Sequence, residues 1–110
     1  MEYLLFICND PTAPAYVAEE DTIEEWLADV DGRGVRQTGN RLRPASDATT
    51  VKVRDGRLVV SDGPFVETKD WIAGYDIIEC TDLDQAIEVA SKHEMARGGQ
   101  IEIRPMWPFE

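Results

Sequence analysis

The chain has 110 residues, enough for one domain with a buried core, and a formal net charge of −11. That charge argues against a nucleic-acid partner, which needs clustered Lys and Arg to neutralise phosphates, and against an anionic membrane surface. Two cysteines, Cys8 and Cys80, sit in apolar runs without zinc-type spacing, so buried free thiols and no metal are expected.

Tyr3, Leu5 and Ile7 alternate with Leu4, Phe6 and Cys8. Both faces of this first predicted strand are apolar, which implies cover on both sides of its sheet. In so short a chain a second subunit is a natural cover, and a homodimer is expected. The run ends at Cys8 and is too short to span a membrane; with no signal peptide visible, a cytoplasmic protein is expected.

Pro11 and Pro14 mark a loop. A helix follows, with Thr22 and Glu25, or Asp21 and Glu24, as capping boxes. Ile23, Trp26, Leu27 and Val30 make one apolar stripe, and Gly32 and Gly34 end the helix. Residues 1–34 carry nine acidic side chains and one basic. Arg36, Arg41 and Arg43 come next and are candidate anion contacts, since guanidinium grips carboxylate or phosphate in a planar fork. They equally serve to balance an acidic chain. Residues 35–48 read as a short strand and an extended loop.

Thr49 to Cys80 is the central stretch. Asp55-Gly56 predicts a two-residue hairpin turn that pairs Arg54 with Arg57, Val53 with Leu58 and Val51 with Val60. Four apolar side chains then share a face. Asp62-Gly63-Pro64-Phe65 stops the strand, and Glu67, Thr68, Lys69 and Asp70 follow. This is either a solvated turn pinned by Phe65 or a loop lining a pocket, with Asp62 and Lys69 as charged contacts. Trp71 to Cys80 reads as a strand apolar on both faces except at Asp76. That carboxylate must be paired, hydrogen-bonded or protonated, or else it faces a pocket.

Asp82 and Gln85 begin a second helix, with Leu83, Ala86, Ile87 and Ala90 on its buried face. His93 lies at the border of that face. It is the one histidine, structural by default, yet suited to proton transfer near neutral pH. Glu94 falls on the buried side, so the helix is expected to fray there. Gly98-Gly99 breaks the chain, and Gln100 to Arg104 forms a last strand, with Arg104 a further candidate ligand contact. Met106, Trp107, Pro108 and Phe109 make an apolar tail.

The order predicts an α+β fold, a ferredoxin-like βαββαβ sandwich with an extra hairpin. Two runs, ATTVKVRDGRLVVSDGPF and DGPFVETKDWIAGYDII, with the closing GGQIEIRP, resemble the DGPF-domain branch of the YCII-related proteins. The resemblance implies a dimeric α/β-barrel built through the sheets. It also implies a site near the motif aspartate, here Asp62, and the motif Thr-Lys, here Thr68-Lys69. Better-known relatives suggest a His-Asp pair, and one related enzyme dehydrochlorinates a hydroxylated aromatic ring. The first-helix histidine common in the family is absent here; His93 is in the second helix.

Three functions follow. A cofactor-independent enzyme would use Asp62 and His93 in an elimination, isomerisation or hydrolysis, with Lys69 or an arginine holding an anionic group. A non-catalytic ligand-binding or regulatory dimer would need only the pocket, with Arg36, Asp76 and Arg104 as further contacts. A structural dimer would need neither. No nucleotide loop, metal spacing or activated nucleophile is present.

Overall fold

The computed structural model describes residues 1–63 and 71–108. Among the described residues are six strands and three α-helices: β1 (Glu2–Asn9), α1 (Ile23–Gly32), β2 (Arg36–Arg41), β3 (Thr49–Arg54), β4 (Arg57–Asp62), β5 (Ile72–Glu79), α2 (Leu83–Ser91), α3 (Glu94–Gly98) and β6 (Gly99–Pro105). Four strands form an antiparallel sheet in the order β2-β5-β1-β6; β3 and β4 form a separate two-stranded sheet. The four-stranded sheet has the ferredoxin-like order, and the hairpin is inserted between its second and third strands.

The sheet's covered face is built by alternation. Tyr3, Leu5 and Ile7 of β1 point to the helices, and Ile78, paired opposite Tyr3, joins them. The apolar stripe of α1 supplies Trp26 and Val30, and α2 supplies Ala86, Val89 and Ala90. Trp26 Nε1–H donates to the Val89 carbonyl at 2.9 Å, which ties α1 to α2 while satisfying the indole. At α2 the cap is as the sequence indicates. Asp82 Oδ1 accepts from the Gln85 backbone N–H at 2.9 Å, although Gln85 itself reaches back to Thr81 rather than to Asp82.

Three features differ from expectation. Thr22 does occupy the N-cap of α1, but its side chain makes no capping bond. Asp21 Oδ1 accepts from Ile23 N–H, and the distant Glu94 accepts from Thr22. The second helix does not fray at Glu94; α2 stops at Ser91 and the chain restarts as α3, with His93 as its N-cap.

The third correction concerns the barrel. The four-stranded sheet is open, with free edges at β2 and β6, and the hairpin does not close it. Among the described residues no barrel closure is seen. The physical reason lies in the second face. Leu4 and Phe6 of β1 and Tyr75 and Ile77 of β5 form an apolar strip two strands wide, each half-buried. Polar side chains flank it on both edges, Thr38 and Asn40 on β2 and Gln100, Glu102 and Arg104 on β6. Apolar alternation in β1 and β5 therefore marks a narrow strip rather than a whole sheet face built to meet another sheet.

The hairpin has the register read from its sequence, Val51 opposite Val60 and Val53 opposite Leu58. Asp55 and Gly56 take φ values of 53° and 74°, as a primed turn requires. Its apolar face, however, is not covered by any of the described residues. Val51, Val53, Leu58 and Val60 are 56–68% exposed. No helix among the described residues is long and apolar enough to cross a membrane.

Candidate functional site

Asp62 closes β4 and pairs opposite Thr49 at the foot of the hairpin. The next residue, Gly63, turns with φ of 86°, a backbone conformation that favours glycine. Its N–H donates to the Ala48 carbonyl at 2.7 Å, and the Thr50 hydroxyl donates to the Gly63 carbonyl at 2.7 Å. The turn is thereby anchored to the segment that runs from β2 to β3. That segment, with the start of β5, walls an open groove of about 370 Å³ lined by Leu42, Arg43, Pro44, Ala45, Asp47, Ala48 and Ile72. Leu42, Pro44 and Ile72 give it apolar surface. Arg43 stands at its rim, 86% exposed, with its Nε 2.9 Å from Asp47 Oδ2. Thr68 and Lys69 lie outside the described residues.

Arg36 and Asp76 are brought together. Asp76 faces the helices opposite Leu5 and is 6% exposed. Arg36 reaches across from β2, donating from Nε to Asp76 Oδ1 at 2.8 Å and from Nη2 to the Gly39 carbonyl at 3.1 Å. Its Nη1 lies 3.8 Å from Asp31 Oδ1. Burial pushes the Asp76 carboxyl up, and Arg36 works against that shift. The room for this pair comes from Gly39, where a Cβ would fall 2.0 Å from Asp76 Oδ1. Each partner is thus occupied by the other, in an arrangement that fastens β2 to β5.

Arg104 lies on the open face of the sheet and pairs with Glu102, Nε to Oε2 at 3.0 Å. His93 is elsewhere again. It is 7% exposed among the helices, its ring edge-on to Trp26 at 4.5 Å between centroids. Its Nδ1 accepts from Met95 N–H at 2.9 Å. Burial lowers its pKa to about 4, against the pull of Glu94 and Asp21. The ring is therefore neutral near pH 7. Asp62 belongs to an exposed hairpin and His93 to the helical layer, and no described contact joins them.

One polar centre escaped the sequence reading. Glu94 is 7% exposed and accepts from the Thr22 N–H at 3.2 Å and its hydroxyl at 3.3 Å. Arg97 pairs with it and also with Glu20, Nη1 to Oε2 at 2.7 Å. The signal was present, an acidic residue on the buried side of a helix, but its partner Thr22 is 72 residues away. A second open groove, about 280 Å³, lies between α2, α3 and β6, beside Ile87, Ala90, Ile101 and Ile103. Neither groove contains Asp62 or His93 in its lining.

Residues 1–110 match the family model described as the YCII-related domain. An uncharacterized protein of Rhizobium meliloti (strain 1021) is 38% identical over 116 residues, covering 96% of this chain and 92% of that protein. Among solved structures, the chain is similar to a 5-chloro-2-hydroxyhydroquinone dehydrochlorinase from Burkholderia phenoliruptrix, in complex with 2,5-dihydroxybenzoquinone. The TM-score is 0.52 at 14% identity, over 100% of this chain and 96% of that one. At that identity the likeness concerns the fold alone.

Proposed function

The chain belongs to the YCII-related family, and on that premise we propose that it holds a small organic ligand in the groove at the foot of its hairpin. The observation that carries this reading is the bond from Gly63 N–H to the Ala48 carbonyl, which joins the turn after Asp62 to the groove's own wall. Concave sites with apolar walls and a few convergent polar groups are the usual form of small-molecule sites. Leu42, Pro44 and Ile72 would receive the apolar body of the ligand. Arg43 would meet an anionic substituent, and Asp62, beside the groove rather than in its lining, a hydroxyl or ammonium that projects from it. Thr68 and Lys69 join this site by their place in the motif.

The finer assignment, to the DGPF branch, rests on the run Asp62-Gly63-Pro64-Phe65. Binding without catalysis is the reading favoured here, because His93, enclosed beside Trp26, is not among the described residues that line the groove. The free thiols, Cys8 half-buried and Cys80 buried, fit a reducing cytoplasm, where we place the protein.

The test is a thermal-shift screen of small carboxylates and hydroxylated aromatics on the wild type, Asp62→Ala and Arg43→Ala. Saturating ligand should raise the midpoint through mass action, by about 2.7 kcal/mol of stability at 100 times Kd. The shift should shrink in both variants, which should keep the wild-type midpoint when unliganded. No shift from any compound, or equal shifts in all three proteins, would sink the reading. Consumption of a shifting compound by wild type but not by Asp62→Ala would extend it to a cofactor-independent enzyme.

A further inference from the structure

Among the described residues that line the groove at the foot of the hairpin, Arg43 is the one cation and Asp47 the one anion. The backbone fixes where both stand. Leu42 N–H donates to the Ala73 carbonyl at 2.8 Å, which pins the chain to β5 just before Arg43. Just after it, Pro44 leads into a single turn of 3-10 helix, Ala45–Asp47. Asp47 N–H donates to the Pro44 carbonyl at 2.8 Å, and Ala48 N–H to the Ala45 carbonyl at 3.0 Å. Pro44, with φ of −56°, also holds Arg43 toward extended backbone. An exposed ion pair four residues apart adds little to stability. What it does here is limit where the guanidinium points.

The pair uses only one edge of the fork. Arg43 Nε donates to Asp47 Oδ2 at 2.9 Å, and neither Nη1 nor Nη2 has a hydrogen-bond partner among the described residues. A guanidinium held at Nε presents its two terminal nitrogens side by side, the arrangement that a carboxylate meets with two parallel bonds. Leu42, Pro44 and Ile72 beside them suit an apolar body and offer a second anionic group no donor side chain. Charge sets a further limit. Arg43 and Asp47 cancel, and Asp62 beside the groove adds a negative charge. The whole chain carries −11. A single carboxylate can pair with Arg43 against that background, whereas a dianion meets the repulsion twice over.

We propose that the groove selects apolar monocarboxylates over dianions such as phosphate monoesters. Asp47 is the positioning residue: it aims the free edge of Arg43 at the carboxylate and supplies the charge that turns dianions away. This rests on the ligand reading above and names the class of ligand for it.

The test is isothermal titration calorimetry of the full chain at about pH 8, where a phosphate monoester is a dianion. Three probes share an apolar ring: 3-phenylpropionate, phenyl phosphate and 3-phenylpropanol. The proteins are wild type, Asp47→Asn, Asp47→Ala and Arg43→Ala. Wild type should bind the carboxylate more tightly than the phosphate or the alcohol. Asp47→Asn keeps an oxygen to accept from Nε but loses the charge. It should hold the carboxylate at least as well as wild type and narrow the preference over phosphate about threefold, the effect of one exposed charge near the ligand. Asp47→Ala loses the acceptor as well, so it should bind the carboxylate more weakly than Asp47→Asn while its affinity for the alcohol stays that of wild type. A merely structural role for Asp47 would alter all three probes alike. Tighter binding of phosphate than of carboxylate by wild type, an unchanged preference in Asp47→Asn, or equal carboxylate affinity in the two Asp47 variants would overturn the proposal and leave the groove as a ligand site. Carboxylate binding undiminished in Arg43→Ala, or no binding of any probe, would remove the groove reading along with it.

Discussion

Arg36 sits on an edge strand and turns its guanidinium inward to Asp76. Removing one member of a buried pair leaves the other charge without compensation, which costs about 3–5 kcal/mol. Arg36→Met should therefore lower stability by about 3 kcal/mol, read as a reduced urea midpoint. R36M/D76N should recover part of the loss. The pH sign follows from burial. The folded Asp76 carboxyl is raised above its unfolded value, so its protonation favours the native state and the Arg36→Met defect should lessen as pH falls. His93 acts in the opposite sense. Its folded pKa is about 4 against 6.5 when unfolded, so the unfolded chain takes up the proton first. Stability contributed by the neutral ring is complete above about pH 6.5 and is lost progressively down to about pH 4, by about 3 kcal/mol at most. His93→Asn keeps a cap acceptor for Met95 N–H without titrating there. It should lose stability less steeply than wild type between pH 7 and 5 in parallel urea titrations; equal slopes would show that the ring is not the titrating group.

Among the elements, α1 and α3 are joined end to end by a single carboxylate. Glu94 caps the first turn of α1 through Thr22 and is itself held by Arg97. Glu94→Ala should cost about 2 kcal/mol, the upper range for a lost cap with an orphaned donor left behind. Glu94→Gln should cost less, since its amide oxygen can still accept from Thr22. Equal thermal midpoints for Ala, Gln and wild type would remove the latch from the account. This centre also marks what could be read in advance and what could not. The Asp55-Gly56 turn and the Val51–Val60 register were legible because turn chemistry and alternation are local. The Asp82 cap was legible for the same reason. Thr22 was placed correctly at a helix start, but the choice of Glu94 over the neighbouring Glu25 depends on the third dimension.

For the whole molecule, the order of elements along the chain and the cover of one sheet face by helices followed from counting elements and matching periods. The barrel did not, because double-sided alternation in β1 and β5 shows that apolar groups lie on both faces without showing how wide each patch is. The width is set by β2 and β6, whose outward side chains are Thr38, Asn40, Glu102 and Arg104. Of the site residues read from sequence, Arg36 and Asp76 meet each other, Arg104 meets Glu102, and His93 is enclosed beside Trp26. Burial gave Asp76 away as a residue needing explanation, while the choice between pocket and ion pair turned on a cross-strand neighbour 40 residues earlier.

The path between β2 and β5 has one more consequence. Arg41 pairs opposite Gly74, and Leu42 N–H donates to the Ala73 carbonyl at 2.8 Å. The chain therefore leaves the sheet and re-enters it at neighbouring points. Everything between is an excursion whose ends already touch, and closing so short a gap asks little of the intervening length. Descent can lengthen, shorten or exchange that excursion while the βαββαβ body keeps its ladder of hydrogen bonds. Relatives could thus diverge in what they grasp without renegotiating how they fold.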